Sequence, residues 1–232
     1  MQDSNCPSCG AAIHFRSPAL PYVTCGYCQT MAMRSDDGVQ DIGKTGALPF
    51  DVSPIQIGTT LQAEGRQWDV IGRVRWGWSD GSWNEWLALG GDGSHRWLGE
   101  AMGLFMWLAE QPGADTPVTQ QLATGTAPRI GSASPYGEHS YTVSDIKEAH
   151  CIASEGELPF PTPRDWRVLS VDLMADNGRC ASAQREISGQ GPSVTEAVMF
   201  YTGRYYTLAE LKPKYLRDIE GWPVPAGLSE GR

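Results

Sequence analysis

Two cysteine pairs, Cys6-Pro7-Ser8-Cys9 and Cys25-Gly26-Tyr27-Cys28, stand fifteen residues apart near the start of the chain. Two residues between cysteines let a tight turn place both thiolates on one ion, and two such knuckles complete a tetrahedron. The spacing predicts a zinc ribbon over residues 1–34, with Cys6, Cys9, Cys25 and Cys28 holding one structural Zn2+. A module of about thirty residues buries too little surface to fold alone, whereas structural zinc contributes on the order of 10–16 kcal/mol in small peptides. Gly10 and Gly26, which follow Cys9 and Cys25, are expected to supply permissive backbone at the turns. Four thiolates saturate the ion and leave no position for a catalytic water. Disulfides and redox cysteine pairs compete for such residues, but no thioredoxin-like strand–helix–strand context accompanies them.

Charge and composition narrow the partners. With 18 Lys+Arg against 27 Asp+Glu the net charge is −9, the wrong sign for broad attraction to nucleic-acid phosphates. Within residues 1–34 Arg16 and Arg34 oppose only Asp3, a surplus too small for a phosphate-binding patch. No positively charged leader and no apolar run of about 20 residues is present, so a cytoplasmic location without a transmembrane segment is expected.

Polar, glycine-containing stretches at 35–50 and 111–129 read as linkers, separating blocks at 51–110 and 130–212, with a loose tail at 213–232. The two blocks share a pattern. Ile57-Gly58-Thr59 and Trp68-Asp69-Val70 recur 73 residues later as Ile130-Gly131-Ser132 and Tyr141-Thr142-Val143. Leu87-Ala88-Leu89 with Asp92-Gly93 realigns with Asp172-Leu173-Met174 and Asn177-Gly178 at an offset of 85, and Gly103–Glu110 lies over Gly203–Glu210 at 100. Strands are expected at 68–74, 83–89, 140–144, 167–173 and 179–185, with hairpin turns at Asp80-Gly81, Asp92-Gly93 and Asn177-Gly178. The stretches 97–110 and 200–208 read as strands joined by turns, Gly203 marking the second turn. The fold class is therefore mainly β: a zinc ribbon followed by two tandem small antiparallel β-barrel or sandwich repeats.

Seven of the nine tryptophans fall between Trp68 and Trp107. Alternation places Trp83 and Glu85 on one strand face and Trp86 on the other. Most of these rings suit a core, whereas Trp76 and Trp78, in the Arg-Trp-Gly-Trp-Ser-Asp-Gly turn, are equally suited to binding a peptide or cation. The twelve-residue excess of the second block centres on Glu155-Gly156-Glu157-Leu158-Pro159-Phe160-Pro161-Thr162-Pro163. Its alternating prolines predict a rigid protruding loop, where Glu155, Glu157 and Phe160 are candidate ligand- or partner-binding residues.

Gly72-Arg73, Trp83-Asn84-Glu85-Trp86-Leu87, Asp92-Gly93, Trp97-Leu98, Glu155–Phe160, Asp172-Leu173 and Tyr201-Thr202-Gly203 together resemble an uncharacterised bacterial domain-of-unknown-function family, DUF4178. The resemblance covers roughly residues 50–212 and implies an N-terminal zinc ribbon, a cytoplasmic protein and an accessory role near a membrane-stress or polyamine-linked system. It carries no catalytic residues.

Nucleophile-elbow, phosphate-loop, dinucleotide and zinc-protease motifs are absent from the sequence. His150 and Cys151 are neighbours on a strand and point to opposite faces, and Cys151 and Cys180 read as buried apolar residues. The expectation is a non-enzymatic adaptor that binds a protein partner, with peripheral membrane association only through that partner. A small-cation (polyamine) or ligand sensor and a nucleic-acid-binding ribbon are the alternatives.

Overall fold

Short aromatic and β-branched segments between turn residues fold as expected into a mainly β chain, its strands antiparallel. The computed structural model describes residues 2–36, 38–50, 52–101, 103–187 and 198–221. In the cysteine module, β1 (Gln2–Asn5) and β2 (Ala12–Phe15) pair as a hairpin. Strands β3 (Tyr22–Thr24), β4 (Thr30–Ser35) and β5 (Gly38–Lys44) form an antiparallel run beside them. β5 occupies a stretch expected to be linker. It pairs through its backbone with β4 while its side chains stay largely exposed, so no hydrophobic alternation betrays it.

Two sets of five strands follow. The first is β6 (Thr60–Ala63), β7 (Arg66–Trp78), β8 (Gly81–Gly90), β9 (His95–Ala101) and β10 (Leu104–Glu110). After the helix α1 (Pro117–Ala123) come β11 (Ala133–Tyr136), β12 (His139–Leu158), β13 (Arg167–Met174), β14 (Arg179–Glu186) and β15 (Val198–Tyr206). α1 lies inside the second expected linker. Thr116 caps it and Pro117 starts it, and its buried Val118 and Leu122 were too few to show a period.

The two sets do not build separate barrels. β10 pairs with β15, and β12 pairs with β7, so β7-β8-β9-β10-β15-β14-β13-β12 close into one ring of eight strands. The halves nevertheless match in detail at the 73-residue offset. Gly58 N–H donates to Val70 O and Gly131 N–H to Val143 O, at 2.9 and 2.8 Å; Val70 and Val143 N–H donate back to Thr59 and Ser132 O. A bulge interrupts each long strand at the equivalent place, between Val70 and Gly72 and between Val143 and Asp145. The offset of 100 does not hold: Gly103 is in a turn with φ 80°, whereas Gly203 lies within the continuous strand β15.

Closure explains the blurred sequence pattern, because both faces of the ring are covered. Inside lie Val74, Trp76, Leu87, Trp97, Leu108, Cys151, Val168, Cys180 and Tyr201. Outside the first half, Trp68, Val70, Trp86, Leu98 and Trp107 pack under Ile55, Leu61, Leu208 and Leu211. Outside the second, Tyr141, Val171, Leu173, Ala183 and Phe200 pack under Val118 and Leu122 of α1. A strand apolar on both faces loses the period of two.

The expected protruding loop is also strand. Glu155 to Leu158 form the end of the twenty-residue β12, pairing with β7 and, at Gly156–Leu158, with β3. The backbones approach so closely here that a β-carbon on Gly72 would lie 1.9 Å from Glu157 O. β12 is thus the strand that closes the ring and joins it to the cysteine module. Turns with Gly93 and with Asn177 and Gly178 stand where expected, all at positive φ, whereas the β7–β8 turn falls at Ser79-Asp80, one residue early. Of the tail expected from 213, residues beyond Gly221 lie outside the described ones.

Candidate functional site

The two knuckles fold alike. Cys6 N–H donates to Ala11 O and Gly10 N–H to Cys6 O; Cys25 N–H donates to Thr30 O and Gln29 N–H to Cys25 O. The left-handed position is taken by Gly10 (φ 77°) in the first knuckle and by Gln29 (φ 58°), not Gly26, in the second. All four sulfurs lie within 4.8 Å of one another, with Cys6–Cys28 at 3.6 Å and Cys9–Cys25 at 3.8 Å. These separations are far beyond a disulfide bond and close to the ~3.8 Å edge of a tetrahedron with ~2.3 Å metal–sulfur bonds. The Thr30 hydroxyl and N–H lower the pKa of the Cys28 thiol, whereas Cys9, despite the Ala11 backbone N–H, is raised by its hydrogen bond to Cys28 and by burial, so the cluster shares its protons. The four cysteines could therefore hold one metal ion.

The module is fastened to the ring by a buried carboxylate. Glu157 accepts hydrogen bonds from the N–H groups of Arg16 (2.7 Å) and Ser17 (2.9 Å). Burial raises its pKa despite both donors. Ser17 Oγ lies 3.1 Å from His95 Nε2, Thr24 Oγ1 lies 2.9 Å from Ser154 Oγ, and Leu20 joins the core inside the ring. These attachments meet the ring beside the middle of β7 and the start of β9.

Within the ring lies a cavity of about 220 Å³ to which all eight ring strands contribute. Trp78, Trp83, Trp97, Phe160, Tyr201 and Tyr205 supply aromatic walls, and Leu104, Met106 and Leu108 supply aliphatic ones. Phe160 stacks on Trp97 with centroids 5.7 Å apart. Half-exposed Leu104 and the Asp145–Lys147 ion pair line the cavity, and Lys147 Nζ stands 5.2 Å over the Trp78 ring. These residues cluster at the end of β7 away from the cysteine module.

Polar groups converge inside. The Glu85 carboxylate accepts from Trp76 Nε1 (2.8 Å), Trp83 Nε1 (3.1 Å) and Gln184 Nε2 (2.7 Å). Asp172 accepts from Ser182. Both carboxyls lie deep in the protein, which raises the pKa of each by desolvation, and both line the cavity and retain surface there. A few convergent polar groups in an apolar, concave space are the usual composition of a small-molecule site.

Residues 56–207, which contain the whole ring, match the family described as "Domain of unknown function (DUF4178)". The chain belongs to the DUF4178 family. The cysteine module lies outside the matched residues, although β3 is hydrogen-bonded to the DUF4178 strand β12. No curated protein and no solved structure matches the chain. Among the described residues no helix is long and apolar enough to cross a membrane.

The DUF4178 ring redistributes the residues singled out from sequence. Trp76 is fully buried against Trp83 and Trp166, and reaches the site only as a donor to Glu85. Trp78 and Phe160 line the cavity as candidate binding residues. Glu155 and Glu157 do not form a surface acidic site: Glu155 pairs with the buried Arg73 at 3.4 Å, and Glu157 holds the cysteine module. Glu85, Trp83, Trp97, Asp172, Gln184, Tyr201 and Tyr205 were not singled out as site residues. Their signal was present for one pair, since Trp83 and Glu85 share a strand face and a carboxylate among inward aromatics marks a polar interior. Cys151 and Cys180 are buried inside the ring as expected, their thiols pushed up to about 12 by burial.

Proposed function

We propose that this protein is a non-enzymatic, cytoplasmic sensor: the closed ring takes a small organic ligand, and a zinc-bound ribbon presents that state to a protein partner. The cavity inside the ring carries this reading, because a well-packed interior leaves few voids and this one joins aromatic walls to convergent polar groups. Zinc is the metal that a four-thiolate, ribbon-spaced site suits best, and its saturated coordination supports a structural role. The hydrogen bonds and bulges repeated at a 73-residue offset support an internal duplication that now builds one ring.

Gly99 supplies the test, since it lines the cavity and a β-carbon there would stand 3.6 Å from Met106 Cβ, an ordinary contact. Gly99→Leu is expected to fill the space without breaking the ring. Thermal shift against a panel of small amines, alcohols and acids should find a stabilising compound for the native protein and none for Gly99→Leu. Equal shifts in both proteins, or none in either, would count against a ligand cavity.

The adaptor role rests on a separate observation. Tyr27, at the tip of the second knuckle, is 81% exposed although it is a large aromatic ring. Arg34, one of only two basic residues in the ribbon, is turned onto the carbonyls of Pro18 and Leu20, which supports a protein rather than a nucleic-acid partner. Tyr27→Ser is expected to lose a partner that native protein captures from its host; unchanged capture would argue against this face.

A further inference from the structure

From the charge inside the ring we infer that the cavity takes an organic cation, a small ammonium group whose nitrogen sits beside Glu85 and Asp172; this rests on the cavity being a ligand site. Three carboxyl side chains of the described residues face the space, those of Glu85, Asp145 and Asp172, while Glu100 turns its carboxylate to the outer face beside Asn84 and Trp86. The one basic side chain there, Lys147, is already paired with Asp145 at the opening. Among the described residues Glu85 has three neutral N–H donors, Trp76, Trp83 and Gln184, and no basic side chain bonded to it.

Those donors favour the ionised form against the burial that opposes it. A protonated carboxyl must donate its hydrogen, but the Trp76 and Trp83 indoles offer only N–H groups, so the arrangement suits an acceptor-only carboxylate. A buried anion of this kind is costly unless a positive charge meets it. The walls suit the same partner. Trp78, Trp83, Trp97 and Phe160 present π systems whose negative faces attract ammonium groups, most strongly where water is excluded. A neutral ligand would leave Glu85 uncompensated and Asp172 with only the attraction of Lys147, and an anion would face the like charges of both.

The volume limits size. At ~30 Å³ per water molecule, 220 Å³ corresponds to about seven waters, enough for a short alkylammonium ion. The experiment is calorimetric titration of the full-length, metal-loaded protein at pH 8 with n-hexylammonium, 1-hexanol and hexanoate, three probes of one shape and different charge. Only hexylammonium should bind, and Glu85→Gln or Asp172→Asn should weaken it at least about tenfold, as loss of a charge-assisted contact does. Binding of hexanol or hexanoate as tight as that of hexylammonium overturns the cation inference while leaving the ligand cavity standing. No binding by any of the three overturns both. The comparison among probes uses the native protein, so it holds even where a variant fails to fold.

Discussion

At Gly203 the chain has no room for a side chain: a β-carbon would lie 1.8 Å from Trp107 O, on the neighbouring strand β10. Sequence reading took this glycine for a turn, because a glycine within an aromatic run gives the same signal whether it bends the chain or lets two backbones approach. Gly203→Ala should therefore cost more than the ~1–3 kcal/mol of ordinary overpacking, whereas Gly99→Ala should be nearly neutral; chemical denaturation of both variants checks the contrast. The two interior carboxyls make a pH prediction. Burial raises the pKa of Glu85 and Asp172, so the native state binds protons more readily than the unfolded chain. Stability from these groups is then greatest below their ordinary values of 4.5 and 3.8 and falls as pH rises through the raised values. Glu85→Gln should shrink the gain in melting temperature between pH 8 and pH 5.5 relative to the native protein; an unchanged gain would show that burial does not raise the pKa of Glu85.

Among elements, the cysteine knuckles were the most legible and β12 the least. Four cysteines at fixed spacing encode their own geometry, since few other arrangements satisfy one ion. Even so, the residue that turns the second knuckle is Gln29 rather than a glycine, and no spacing rule reveals that. Only residues 140–144 of the twenty in β12 read as strand, because its later half pairs with β7 and β3 and has buried residues on both faces. The attachment of the ribbon through Glu157 and Leu20 links metal to barrel. Removing the metal, by chelation or Cys25→Ser, should abolish hydrogen-exchange protection in β1–β5 and lower the melting temperature of the remaining barrel. Loss of the Glu157 acceptor and of Leu20 burial is worth about 3 kcal/mol, or roughly 6–12 °C for a chain of this size. A barrel that melts unchanged without metal would show the ribbon to be an independent appendage.

In the whole molecule, duplicated strands make one interior rather than two. The sequence carried the matching halves but not their closure, since the β10–β15 pairing joins residues such as Phe105 and Tyr206, and the β12–β7 pairing residues such as Gly156 and Gly72, far apart in the chain. Two cores outside the ring hold Trp68, Trp86, Trp107 and Tyr141, while the interior keeps Trp76, Trp83 and Trp97 around the carboxylates. That division sorts the tryptophans into a set that a ligand touches and a set that it does not. Each indole N–H gives its own signal in a nitrogen–proton correlation spectrum, so titration with n-hexylammonium reads both sets at once. The Trp78, Trp83 and Trp97 signals should move in a saturable manner while those of Trp68, Trp86 and Trp107 stay in place. Movement confined to the outer set, or no saturable movement, would contradict a ligand site inside the ring.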